Sequence, residues 1–206
     1  QPYLGLFFEN LLNSGFKQES GQYFTPIPIA RFIVSSIPVK RIFDKKIKSG
    51  DIDFLPYIID YACGSGHFLT EGMDEIQSII NNYPKNQLSN TQLKKLNAYK
   101  DSEYSWAKEF VYGIDLDYRL VKTTKVNTFL NGDGEANIIH ANGLASFNSD
   151  EYTSKLKSQS NSIESFDILL ANPPYSVKDF KKTIQNGVQR FQLFAHLGKD
   201  SDDIEC

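Results

Sequence analysis

The chain is poor in cysteine, in histidine and in surplus positive charge, and each shortage excludes something. Its two cysteines are Cys63, inside a glycine-rich stretch, and Cys206 at the last position. Neither spacing makes a zinc site or a disulfide framework. The three histidines, His67, His140 and His196, are scattered, so no metal centre is expected. No run of about 18 apolar residues occurs, which excludes a membrane-spanning helix. No basic segment followed by an apolar stretch opens the chain, so no secretory signal is read and the expected compartment is the cytoplasm. Lys and Arg number 22 against 25 Asp and Glu, a formal net charge of -3. Proteins that embrace nucleic acid draw affinity from neutralised phosphates and carry a basic face. The charge balance therefore argues mildly against nucleic-acid binding by these residues and leaves small-ligand binding open. With 206 residues there is room for one full core. The first residue is Gln1, which is expected of a fragment of a longer chain.

Strand and helix patterns alternate along what is present. Tyr3 to Leu12 reads as a short apolar helix ended by Asn13-Ser14-Gly15. In Gly21-Gln22-Tyr23-Phe24-Thr25-Pro26, Thr25 is expected to cap a helix with Pro26 at its first position. Ile29, Phe32, Ile33 and Ile37 then mark a buried helical face, and Pro38 follows its end. A basic surface stretch, Lys40 to Lys48, leads to a strand at Tyr57 to Tyr61 and the turn Ala62-Cys63-Gly64-Ser65-Gly66. Phe68, Leu69, Met73, Ile76 and Ile80 fall on one side of the helix after it. Asn81 to Lys108 is polar and reads as an insertion with a surface helix from Thr91. A second strand, Phe110 to Ile114, is closed by Asp115, and Asp117 caps a helix through Leu130. Asn137 to His140 is a third strand with Asn142-Gly143 as its turn. A Ser-rich stretch, 158–162, precedes a fourth strand, Phe166 to Ala171, that delivers Asn172-Pro173-Pro174-Tyr175.

Short, nearly continuous apolar strands alternating with helices predict an α/β fold with an open, mostly parallel sheet. Residues 1–50 are expected to form an N-terminal helical segment that carries the Gly21 to Pro26 turn. Residues 51–206 are expected to form a catalytic domain whose sheet is incomplete at the C-terminus. Ligands of such sheets sit outside the carboxyl ends of the strands. Asp60, Asp115, Asn142 and Asn172 all fall at predicted carboxyl ends, so they should converge on one crevice.

Gly64-x-Gly66 between a strand and a helix allows close backbone approach and offers a helix N-terminus to a polar ligand. The dinucleotide fingerprint would put a third small residue where Leu69 stands. Its absence favours a ligand without a pyrophosphate, such as S-adenosylmethionine, over a nicotinamide dinucleotide. The alternative is a turn whose glycines serve geometry alone. Asp115 is a natural acceptor for ribose hydroxyls, or equally a helix-capping acid beside Asp117. Asp60 either holds the loop or the cofactor's amino group, or caps a strand end.

The prolines of Asn172-Pro173-Pro174-Tyr175 stiffen the backbone and leave its carbonyls free to accept. The Asn side-chain oxygen and a nearby carbonyl then form two acceptors for one small donor. An exocyclic amine offers two N–H groups. Accepting both favours a tetrahedral lone pair able to attack a methyl sulfonium, with no strong base required. Tyr175 offers a face on which a flipped base can stack.

Taken together, these motifs resemble the N6-adenine DNA methyltransferases of restriction–modification systems, above all type I modification subunits and the methylase regions of fused restriction–modification enzymes. The resemblance spans Gly21 to Tyr175. It implies a Rossmann-like S-adenosylmethionine-dependent methyltransferase fold. It also implies that Tyr23, Phe24, Thr25 and Pro26 meet the methionine end of the cofactor. Asp60, Ala62, Cys63, Gly64, Gly66 and Phe68 match the family's cofactor loop. Asp115 and Leu116 match its ribose-binding strand end, and Asn172 to Tyr175 its catalytic tetrapeptide. Asn142 and Gly143 stand where the family often has an Asp for the adenine amino group, so an amide oxygen would have to accept there. The implied partners are double-stranded DNA, through a recognition domain expected beyond Cys206, and a specificity or restriction subunit. The piece by itself is then expected to bind cofactor weakly or not at all and to methylate DNA poorly. Two rivals remain: a protein-glutamine N5 methyltransferase, which shares the tetrapeptide, and a catalytically inert scaffold of a restriction complex. A nicotinamide oxidoreductase is disfavoured by Leu69.

Overall fold

The computed structural model describes residues 25–130, 132, 136–146, 150–152, 155–156 and 166–173. The expected helix at Tyr3 to Leu12, the residues Gly21 to Phe24, the Ser-rich stretch and everything from Pro174 onward lie outside the described residues. Four strands form one parallel sheet: β1 (Ile58–Asp60), β2 (Val111–Asp115), β3 (Asn137–His140) and β4 (Ile168–Leu169), in the order β3-β2-β1-β4. This is the expected α/β architecture. All three residues of β1 and the first four of β2 are buried. Successive side chains of a strand point to opposite faces, so both faces of the sheet centre are covered. β1 lies between β2 and β4, where the chain order reverses, and a crevice opens at such a point beyond the carboxyl ends.

The helices are α1 (Ile27–Ser36), α2 (Val39–Lys48), α3 (His67–Asn82), α4 (Asn90–Asp101), α5 (Ala107–Phe110) and α6 (Tyr118–Leu130). α3 buries Phe68, Leu69, Met73, Ile76 and Ile80, as its sequence spacing predicts. It packs on β1 and β2, while α1, α2 and α4 pack on α3. α6 lies against β2 and β3. Asp117 caps it, its carboxylate accepting the Arg119 amide at 2.8 Å.

Three local expectations are corrected. Thr25 does not cap α1: Pro26 stands at the N-cap position and no side chain bonds the helix start. α1 turns Ala30 and Val34 inward and leaves Ile29, Phe32 and Ile33 exposed, so the periodic face read from sequence is rotated. Ala30 has the smaller side chain and lets α1 approach α3 closely. Arg31 then reaches the buried carboxylate of Glu71 with two bonds, at 2.8 and 3.1 Å. The Lys40 to Lys48 stretch is not merely surface, because α2 seats Val39, Phe43 and Ile47 in the core.

The polar segment 81–108 contains the expected helix, started by a reciprocal capping box between Ser89 and Gln92. It is also part of the core, to which it adds Tyr83, Leu96, Tyr99 and Trp106. Trp106 donates its indole N–H to Gln77 on α3 at 2.8 Å. Few apolar residues occur in this segment, but the aromatic ones are large, and each covers more area than an average core side chain.

Candidate active site at the carboxyl end of the sheet

The strand-to-helix turn after β1 builds the site. Gly64 has φ +53° and Gly66 φ +84°, the left-handed region in which a side chain is strained. Gly66 forms the N-cap of α3 and closes the turn by donating to the Cys63 carbonyl at 2.7 Å. A Cβ on Gly66 would stand 2.6 Å from Thr124 Cγ2. Cys63 is buried, and burial pushes its thiol well above the usual range.

The missing third glycine has a structural answer. Leu69 packs against Gly113 of β2, where a Cβ would meet Leu69 Cδ1 at 2.7 Å and Ile138 Cδ1 at 2.9 Å. Close helix-to-sheet approach is therefore obtained from a glycine on the strand instead of one on the helix.

Asp115 holds the turn from the side. One carboxylate oxygen accepts the Gly64 amide at 2.9 Å and the other accepts the Asp117 amide at 2.8 Å. A carboxylate has about four acceptor positions, so two such bonds leave room for hydroxyl donors. Asp60 lies beneath the loop, 1% exposed, and accepts the Ala62 amide at 3.0 Å. Burial, reinforced by the neighbouring charge of Asp115, pushes its carboxyl up to about 7, against the smaller opposing effect of the Ala62 bond. Asp115 is raised as well, again chiefly by burial.

Thr25, Asp60, Ala62, Cys63, Gly64, Ser65, His67, Phe68 and Asn172 line one cleft of about 270 Å³, counting the space at its open mouth. His67 Nδ1 meets the Thr25 carbonyl at 2.8 Å, and Asn172 Nδ2 donates to the Thr25 hydroxyl at 3.0 Å. The N-terminal motif, the glycine turn and the start of the Asn-Pro-Pro-Tyr motif are thus brought together across 147 positions of sequence. Pro173 follows at the same edge, half-buried.

Asn142 and Gly143 sit next to this wall but do not line the cleft. The Asn142 amide donates to Glu151 at 3.0 Å and its side-chain oxygen accepts from the Leu144 amide at 3.0 Å. A Cβ on Gly143 would lie 2.1 Å from the Tyr61 carbonyl oxygen, so only glycine lets this loop touch the turn after β1. Leu116 is 66% exposed just beyond Asp115. Pro26 is exposed at the mouth of α1. Tyr23, Phe24, Pro174 and Tyr175 lie outside the described residues.

A sequence profile described as N-6 DNA methylase matches residues 2–204. The chain belongs to that family. Among curated proteins nothing matches. Among solved structures, the modification subunit of a putative type I restriction enzyme from Vibrio vulnificus YJ016 is similar at 17% identity and a TM-score of 0.49, covering 98% of this chain and 32% of that one. A DrdV–DNA complex is similar at 18% identity and a TM-score of 0.48, covering 90% of this chain and 17% of that one. The chain therefore spans less than two thirds of the length of either structure.

Two side chains that hold the turn after β1 were not singled out from sequence. Thr124 donates its hydroxyl to the Gly64 carbonyl at 2.5 Å, and Asn127 donates its amide to the Ser65 carbonyl at 2.8 Å. The available signal was four polar residues, Thr123, Thr124, Asn127 and Thr128, on the buried side of a helix.

No helix among the described residues is long and apolar enough to cross a membrane, and no group of three or more His, Cys, Asp or Glu residues among them is placed to hold a metal ion.

Proposed function

We propose that this chain binds S-adenosylmethionine in the cleft at β1 and carries the catalytic motif for methylation of the exocyclic N6 of adenine in DNA, within a cytoplasmic restriction–modification system. The observation that carries this reading is the Asn172 side chain on the wall of the cleft built by the Gly64–Gly66 turn. The donor set fits the cofactor. Among the described residues the lining contains a buried carboxyl, Asp60, and no Lys or Arg, which suits a ligand with positive charge and suits a pyrophosphate poorly. Asp115 retains acceptor capacity for a ribose.

When bound, S-adenosylmethionine supplies an electrophilic methyl group on a sulfonium. The protein's residues then have separable tasks. Asp115 would accept the ribose hydroxyls, and Asp60 would offer its carboxyl to a cationic group of the ligand. The Asn172 side-chain oxygen and the Pro173 carbonyl accept the two hydrogens of the target amine, holding its lone pair free. The Thr25 hydroxyl oxygen accepts a hydrogen bond from Asn172 Nδ2, which turns the opposite end of the amide, its oxygen, away from Thr25. By residue type, Tyr175 supplies a stacking face for a base taken out of the helix. Double-stranded DNA and a specificity or restriction subunit are the partners in this reading.

The test offers labelled S-adenosylmethionine to the full-length protein with either adenine-containing duplex or a release-factor substrate. Label in the duplex is the expected result, and label in protein alone overturns the adenine assignment. An inert scaffold would show no affinity for S-adenosylhomocysteine.

A further inference from the structure

We propose that Thr124 and Asn127 of α6 are positioning residues for the cofactor: they turn the peptides of the Gly64–Gly66 turn so that the Ser65 N–H faces the ligand. The proposal rests on the S-adenosylmethionine reading of the cleft. The inner face of α6 begins with buried Leu120 and Val121 and then becomes polar at Thr123, Thr124, Asn127 and Thr128. Thr123 and Thr128 bond back to carbonyls of their own helix, at 3.0 and 3.1 Å. Thr124 and Asn127 instead reach about sixty positions back in sequence, to the carbonyls of Gly64 and Ser65.

In a trans peptide the C=O and the following N–H point in opposite directions, and the described chain has no cis peptide. Drawing the Gly64 carbonyl onto α6 therefore turns the Ser65 N–H away from α6, and Ser65 lines the cleft. Drawing the Ser65 carbonyl onto α6 likewise turns the Gly66 N–H toward Cys63, whose carbonyl it meets at 2.7 Å. The two side chains thus set both peptide planes of the turn.

A second observation separates this from packing. Asn127 is 8% exposed and its side-chain oxygen is buried with no hydrogen-bond partner among the described residues. An orphaned buried acceptor costs stability, so an apolar residue would serve the core better. The amide is explained by what its nitrogen does to the turn.

The experiment titrates S-adenosylhomocysteine into the full-length protein, unaltered or carrying T124V, T124S or N127L, by calorimetry, and follows the Ser65 amide by nuclear magnetic resonance. T124V and N127L are expected to bind about tenfold more weakly, the effect of one lost hydrogen bond, while T124S returns to within about threefold. With the full-length protein, the KM for S-adenosylmethionine should rise in T124V while kcat at saturation is retained. A packing role alone would not be rescued by serine, which lacks the methyl but keeps the hydroxyl. The Ser65 amide of the unaltered protein should shift and gain exchange protection on binding, a readout that needs no variant to fold. Variants that bind as tightly as the unaltered protein, or a Ser65 amide indifferent to ligand, overturn the proposal and leave the cofactor reading standing. No binding by the unaltered protein overturns both.

Discussion

Replacing Gly66 by alanine brings two costs that can be separated by experiment. The first is conformational. At φ +84° a Cβ crowds its own backbone, at a cost of roughly 1–2 kcal/mol. The second is steric. The new Cβ would stand 2.6 Å from Thr124 Cγ2, about 1 Å inside an ordinary carbon–carbon contact. Thr124 is fully buried on α6 and cannot swing away without releasing Gly64. Overpacking of this kind costs roughly 1–3 kcal/mol, so G66A should lose about 2–5 kcal/mol in all. T124S alone removes the offending methyl, keeps the hydroxyl, and should cost about 1 kcal/mol for the lost burial. In the double variant the alanine methyl occupies the space vacated by Cγ2. Only the conformational cost should then remain, with a favourable coupling of about 2–4 kcal/mol between the sites. Urea unfolding of the four proteins measures this, and the chain's one tryptophan, Trp106, 1% exposed, is a built-in fluorescence probe. Effects that add to within about 0.5 kcal/mol would refute the close approach of α6 to the turn.

Three further outcomes are expected. N172A in the full-length protein should lower kcat by about a hundredfold or more, the usual scale for one transition-state hydrogen-bonding group, while calorimetry finds affinity for S-adenosylhomocysteine little changed. Equal losses in both would move Asn172 from the chemistry to cofactor binding. Asp60 has a folded pKa of about 7 against an ordinary value of 3.8, so the folded chain holds the extra proton between those values. Its contribution to stability is greatest below about 4, declines as pH rises to about 7, and is level above that. D60N should flatten this part of a melting-temperature profile, and an unchanged slope would show that Asp60 ionises normally. G143A places a methyl 2.1 Å from the Tyr61 carbonyl oxygen, a backbone atom with little freedom to retreat. It should destabilise by about 2–3 kcal/mol and speed hydrogen exchange at Ala62 to Gly66, whereas unchanged exchange there would disprove the contact.

Much of the fold and site was legible in the sequence because the signals are local. Gly64 and Gly66 announce a turn that other residues resist, and the five apolar positions from Phe68 to Ile80 recur at helical spacing. Four apolar runs ending in Asp60, Asp115, Asn142 and Asn172 mark strand ends. α1 shows where locality stops. Its sequence, IPIARFIVSS, is apolar on more than one side, so spacing alone cannot choose between the Ile29–Phe32–Ile33 stripe and the Ala30–Val34 stripe. The choice depends on what α3 presents, including the Glu71 carboxylate that receives Arg31. The segment 81–108 misleads for a related reason. Composition counts residues, while burial depends on area, and Trp106 and three other large side chains outweigh the polar majority around them.

The sequence by itself determined the order of strands and helices, the glycine turn and the Asn-Pro-Pro-Tyr motif, since each depends on dihedral preference or on residues adjacent in the chain. Only the tertiary structure decided that Thr25 meets Asn172 and His67, that Gly113 replaces a missing helix glycine, and that α6 holds the turn through Thr124 and Asn127. These pairings join residues 42 to 147 positions apart. They depend on which faces the parallel sheet brings together, and no local propensity records that.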